Sequence, residues 1–225
     1  MSMKKQTSAQ ASRILFIGNS FTFRNDLPGL ITTLAASRTP PHTLATQMIV
    51  AGGASLRQHW NGGTALEAVQ QGAWDTVVLQ EQSTLPMKNA TRFHENVRLF
   101  HEEITQSGAR TLLYLTWARQ QSPETQEALT QAYLTIATEL NAGVAPVGIA
   151  WQQALKENPA LPLYDKDGSH PSPLGSYLAA CVFYATLFDA SPAGITVPET
   201  LTISAADADL IQRVAWQTVA ARTRE

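Results

Sequence analysis

The chain has 225 residues, 44% hydrophobic and 15% charged, with a formal net charge of −2. That length predicts one domain, residues 1–225, with a sizeable core, and the charge lacks the basic excess of a nucleic-acid binder. Cys181 is the only cysteine, which excludes an intrachain disulfide and a cysteine-rich metal site.

Residues 1–12 carry Lys4 and Lys5 but no apolar core for a signal peptide. They are expected to form a flexible start to a cytoplasmic chain. The first apolar run, 14–17, has the length of a strand and ends in Gly18-Asn19-Ser20. A helix is expected over 28–37, with Pro28 in its first turn and Asp26 just before it. Further strand-like runs lie at 46–50, 76–79, 111–115 and 144–149. Several are apolar on both faces, as strands covered by helices on both sides would be.

Between these runs, helices are expected over 64–71 and 91–107, the second with Phe93, Val97, Phe100 and Ile104 at helical spacing. Ser122 and Pro123 mark the start of another, reaching Asn141. Ser172 and Pro173 open a helix that ends near Phe188 and holds the longest apolar stretch, too short to span a bilayer. Cys181 lies within it and reads as core. A last helix covers 205–221, with Asp207 and Asp209 in its first turn and Arg222 and Arg224 just past its end, as the helix dipole favours. The alternation predicts an α/β fold of three layers, α/β/α, with a flavodoxin-like parallel sheet of five strands in the order 2-1-3-4-5. In such sheets ligands bind outside the carboxyl ends of the strands.

Ser20 sits at such an end. On position alone it reads as a turn serine. A reacting serine needs a base, most often a histidine oriented by a carboxylate. Among the five histidines, His94 and His101 fall on one helix, His42 follows two prolines, and His59 precedes Trp60 where it could edge a pocket. His170 lies in a polar loop before the helix at Pro173, three residues after Asp167. A turn at Gly168-Ser169 would return the carboxylate to the imidazole. A solvated histidine after an Asp-Gly turn is the competing reading.

Two blocks carry a resemblance. "FIGNSFT" (16–22) and "DGSHPSPLGSYLAA" (167–180) resemble the first and last blocks of the SGNH hydrolase superfamily, the GDSL-type esterases. The resemblance implies ester hydrolysis by a Ser-His-Asp triad, with Ser20 as nucleophile, His170 as base and Asp167 behind it. It also implies an oxyanion hole from the Ser20 N–H, a glycine N–H after the second strand and a side-chain amide after the third. "IVAGGASL" (49–56) offers Gly53, with Gly52 as the alternative. After the third strand the family usually has G-x-N-D, whereas this chain has "LQEQST" (79–84). Some carbohydrate esterases of the superfamily carry a glutamine there, so Gln80, and next Gln82, are the expected donors. Asn19 stands where aspartate is commoner and can keep the turn's hydrogen bonds without the charge.

Glu81 could orient the site or be a strand-end charge. Trp60, Trp117 and Trp151 could face sugar rings or acyl chains, or belong to the core. No P-loop or dinucleotide fingerprint follows a strand, and Asp165, Asp167 and His170 lack a second ligand pair for a metal, so no cofactor and no metal are expected. The expectation is a serine esterase acting on small acyl esters, O-acetyl groups on a carbohydrate, with a small-molecule or carbohydrate ester as its partner and neither nucleic acid nor membrane. A non-catalytic carbohydrate-binding member of the same fold, or a lipase or thioesterase, stays open.

Overall fold

The computed structural model describes residues 11–38 and 40–222. Positions 1–10 of the expected flexible start, and Arg224, lie outside the described residues, while Ser12 already pairs with Leu44 in the sheet.

Five parallel strands, β1 (Ser12–Gly18), β2 (Leu44–Val50), β3 (Thr76–Leu79), β4 (Arg110–Tyr114) and β5 (Gly143–Ala145), lie in the order 2-1-3-4-5. The helices are α1 (Ser20–Phe23), α2 (Leu27–Ala36), α3 (Leu56–Gly62), α4 (Thr64–Gln71), α5 (Leu85–Lys88), α6 (Ala90–Gln106), α7 (Gln126–Leu140), α8 (Val147–Glu157), α9 (Pro173–Phe188) and α10 (Ala205–Arg222).

The strand period of two sorts the core into two layers. Ile14 and Phe16 of β1, with Val78, Leu112 and Tyr114, pack against α2, α8, α9 and α10. Leu15 and Ile17, with Val77, Leu79 and Leu113, pack against α3, α4, α6 and α7. Both faces are therefore covered, which explains why the strands read as unbroken apolar runs. α9 is buried over most of its circumference, Cys181 included, and burial pushes that thiol up to about 12. No helix among the described residues is long and apolar enough to cross a membrane.

Two expectations change. The run 144–149 is not one strand. Pro146 has no N–H for the sheet ladder, and its carbonyl instead accepts from Ala150 N at 3.1 Å. The strand stops at Ala145, and Val147 begins α8. Before α7, residues Pro123–Thr125 form a tighter 3₁₀ turn, and Ser122 caps nothing with its side chain. Asn141 then ends α7 in the left-handed conformation, with φ 50°.

Candidate active site

The carboxyl ends of β1, β2 and β3 lie side by side, with Gly18 in register with Val50 and Ile17 with Leu79. The chain turns abruptly after β1. Asn19 caps α1, its Oδ1 accepting from Phe21 N at 3.1 Å while its Nδ2 donates to Ala54 O at 2.9 Å. Gly18 allows the close approach that this turn needs. A Cβ there would stand 2.6 Å from both Gln80 Oε1 and Thr22 Oγ1. His59 Nε2–H donates to Gly18 O at 2.7 Å from the opposite side. Ser20 is thus held at the start of α1, partly exposed above a buried turn.

The second half of the site is a loop before α9. Tyr164 and Pro171 form an antiparallel bridge, and Asp165 N donates to His170 O at 2.8 Å, closing the loop at its base. Within it, Gly168 takes φ +65°, and a Cβ there would stand 2.2 Å from Gln121 Nε2. Asp167 Oδ1 accepts from the N–H groups of Ser169 and His170, each at 2.9 Å. Its Oδ2 lies 2.5 Å from His170 Nδ1. These bonds, the imidazole's first among them, hold the Asp167 carboxyl well below the usual carboxylate range. An ionised carboxylate only accepts, so Nδ1 carries a proton and leaves Nε2 of the neutral ring as an acceptor. Nε2 stands 2.8 Å from Ser20 Oγ. Residues 150 apart in sequence are therefore brought into one hydrogen-bonded line.

What fixes this loop against Ser20 was not apparent from the sequence. Trp117 is 1% exposed and donates its Nε1–H to Ser169 O at 3.0 Å. Its ring stacks on Phe21 at 4.7 Å on one side and on Trp151 at 4.0 Å on the other. Phe21 meets the His170 ring edge-on at 5.6 Å. Trp151, on α8, and Trp117, in the loop just after β4, are both buried and belong to the core beneath the site. Trp60 is half-buried, edge-on to Phe100. Arg24 Nη1 pairs with Asp165 Oδ2 at 2.7 Å, and Asn25 Nδ2 donates to Ser176 Oγ at 2.9 Å, so both sides of the cleft are stapled.

The loop after β3 corrects one expectation. Gln80 is fully buried. Its Oε1 accepts from Asn19 N at 2.8 Å and Thr22 Oγ1 at 3.0 Å, and its Nε2 donates to Glu81 O at 2.6 Å. Its amide braces the serine turn from below and does not open onto the cleft. Gln82 is only partly buried, with Oε1 fixed by the N–H groups of Thr84 and Leu85 at 2.9 and 3.0 Å. Its Nε2 has no hydrogen-bond partner among the described residues. Gly53, with Gly52, lies exposed in the turn after β2, where Ala54 N donates to Ala51 O and Gly53 has φ +67°.

Glu81 is buried as a carboxylate. Oε1 accepts from Leu56 N at 3.0 Å and Gln82 N at 2.7 Å, and Oε2 from Asn96 Nδ2 at 2.9 Å. Burial pushes its carboxyl up from the ordinary value, against the pull of those hydrogen bonds. It joins the loops after β2 and β3 at one anchor. The other four histidines are engaged elsewhere: His59 at Gly18 O, His94 at Ala132 O, His101 at Thr111 Oγ1, and His42 stacked on Phe188.

No protein-family model matches the chain, and no curated protein does. Solved structures do. A candidate SGNH hydrolase from Slackia heliotrinireducens is 29% identical, over 79% of this chain and 100% of that one, with TM-score 0.68. A DUF4886 family protein from Bacteroides uniformis shares the fold over 94% of this chain and 95% of its own, at 19% identity and TM-score 0.76. An acetylxylan esterase from Geobacillus stearothermophilus shares it over 79% and 95%, at 15% identity and TM-score 0.63. Sheet order, helical layers and these likenesses agree: the chain has the α/β fold of the SGNH hydrolases and resembles that superfamily over most of its length.

Proposed function

We propose that the protein is a serine esterase that removes small acyl groups, O-acetyl groups on a carbohydrate foremost. The observation that carries this reading is the hydrogen-bonded line from Ser20 Oγ through both ring nitrogens of His170 to Asp167. In this reading Ser20 attacks the ester carbonyl as Nε2 takes its proton, and Asp167 stabilises the imidazolium. The Ser20 and Gly53 N–H groups and the free amide of Gln82 receive the oxyanion. Collapse expels the alcohol, which takes its proton from His170 and leaves an acyl-serine. Water, deprotonated by His170, then releases the acid and restores the serine.

The carbohydrate assignment is supported by the glutamine-bearing loop after β3 and by the acetylxylan esterase among the fold relatives. Phe23, three residues beyond Ser20 and 37% exposed, is the exposed aromatic that the nucleophile turn carries. Acetate release from O-acetylated xylooligosaccharides, measured beside 4-nitrophenyl esters from acetate to dodecanoate, tests the assignment. Release of acetate with activity falling along the ester series is expected. Preference for the long chains contradicts it in favour of a lipase or thioesterase.

A further inference from the structure

A small cavity of about 190 Å³ lies between the loop after β3 and the loop after β4. Thr84 and Lys88 line one wall, Arg119 and Ser122 the other, with Trp117 and Leu129 among the apolar lining. It adjoins the candidate site on two sides. Trp117 is the residue that holds Ser169 O and stacks on Phe21, the neighbours of His170 and Ser20. Thr84 is the residue whose N–H fixes the Gln82 amide. A larger hollow, of about 390 Å³, opens among the first residues of β3, β4 and β5, at the end of the sheet away from Ser20.

The charge on the smaller cavity is one-sided. Lys88 and Arg119 are exposed, and among the described residues neither makes an ion pair. Glu124 lies in the 3₁₀ turn before α7 and Glu127 in the first turn of α7, but among the described residues no Asp or Glu lines the cavity. In the site itself, Asp167 is taken by His170 and Asp165 by Arg24. Two unpaired cations on a cavity joined to the candidate site through Trp117 and Thr84 favour a substrate that brings its own negative charge. The volume admits a carboxylate and a few carbon atoms, and excludes a long acyl chain.

We propose that this cavity is a specificity subsite in which Lys88 and Arg119 receive a carboxylate borne close to the scissile ester, so that the enzyme favours esters of acidic compounds. The proposal rests on the esterase reading for the position of the ester. The carboxylate can belong to the acyl group or to the alcohol.

Two substrate pairs separate these sources. 4-Nitrophenyl hemiglutarate against 4-nitrophenyl pentanoate places the charge on the acyl side. O-Acetyl glucuronic acid against O-acetyl glucose places it on the alcohol side. In one pair the acidic member should have the higher kcat/KM, by about fivefold or more, with the ratio falling as salt rises. In the Lys88→Gln/Arg119→Gln protein, checked for a native unfolding midpoint, that ratio should approach unity. Calorimetric titration of the Ser20→Ala protein with the same compounds reads binding without turnover. Preferential binding of an acidic member without any Ser20-dependent turnover would keep the subsite and overturn the esterase reading. Equal binding within both pairs, or a preference that survives in the double variant, overturns the subsite.

Discussion

Gln80 Oε1 accepts the Asn19 N–H at 2.8 Å, so the first residue after β3 holds the backbone immediately before Ser20. The same oxygen takes the Thr22 hydroxyl, two residues after Ser20. The serine turn is clamped on both sides by one buried amide. In the proposed reading this makes Gln80 a brace and Gln82 the oxyanion donor, and their variants should behave differently. Gln80→Ala should lower the free energy of unfolding by about 1–3 kcal/mol, because it strands buried donors. Gln82→Ala should leave the denaturant midpoint near the wild-type value and reduce kcat by about 10²–10³ with KM little changed. Urea titration beside steady-state kinetics checks both. The reverse pattern would return the oxyanion role to Gln80.

Asn19 uses both ends of its amide, accepting from Phe21 N and donating to Ala54 O. Aspartate can supply the first bond but would set a carboxylate against the Ala54 carbonyl in a site only 3% exposed. Asn19→Asp should therefore destabilise the protein by about 2 kcal/mol near neutral pH, and less in acid, where the carboxyl can be protonated and donate. Unfolding midpoints across the pH range measure this. Equal loss at all pH values would show that the amide donor is not what the site needs.

Glu81 offers two acceptor oxygens to three donors, from Leu56, Gln82 and Asn96. Glutamine keeps the shape but turns one acceptor into a donor facing a donor. Glu81→Gln should cost about 1–3 kcal/mol and lower kcat more than it changes KM, because it loosens Gln82 and the loop after β2 together. An unchanged kcat in a stable variant would make Glu81 a purely structural anchor.

The pH dependence follows from Asp167. Its depressed carboxyl stays ionised through the range where an imidazole base gains and loses a proton. The acid limb of log(kcat/KM) should then have a slope of one, reporting the ring alone, and a slope of two would show that Asp167 titrates with it. The linked stability has the sign of a depressed acid. It is present above the ordinary carboxylate range and is lost as pH falls through the lowered value of the folded protein. Asp167 is 46% exposed at its side chain, so this contribution is small. Asp167→Asn should reduce kcat far more than it shifts the unfolding midpoint.

The sheet was legible because β1, β3 and β4 are covered on both faces, which makes them apolar throughout and easy to separate from amphipathic helices such as α6. The same rule hid α8, because a helix start buried directly after a buried strand continues the apolar run. Only Pro146 marked the break. α3 carries its own signature in the Ser55-x-x-Gln58 capping box, in a segment too short to stand out by periodicity. Ser20, Asp167 and His170 could be picked out because two local motifs carry them. The choice between Gln80 and Gln82 could not be made from sequence. It depends on the side chain at 80 turning under the serine turn, a contact 61 residues away in the chain. The Trp117 stack and the Arg24–Asp165 pair were illegible for the same reason, since each joins loops set side by side only by the finished sheet.

Hydrolysis of 4-nitrophenyl acetate by the wild-type and Ser20→Ala proteins, with mass spectrometry of the wild type after a serine-reactive phosphonate, tests the central claim most directly. The account predicts a single phosphonyl adduct on Ser20 and a fall in kcat of about 10⁴-fold or more in the variant. Equal turnover by both proteins, or an adduct on another serine, would contradict it.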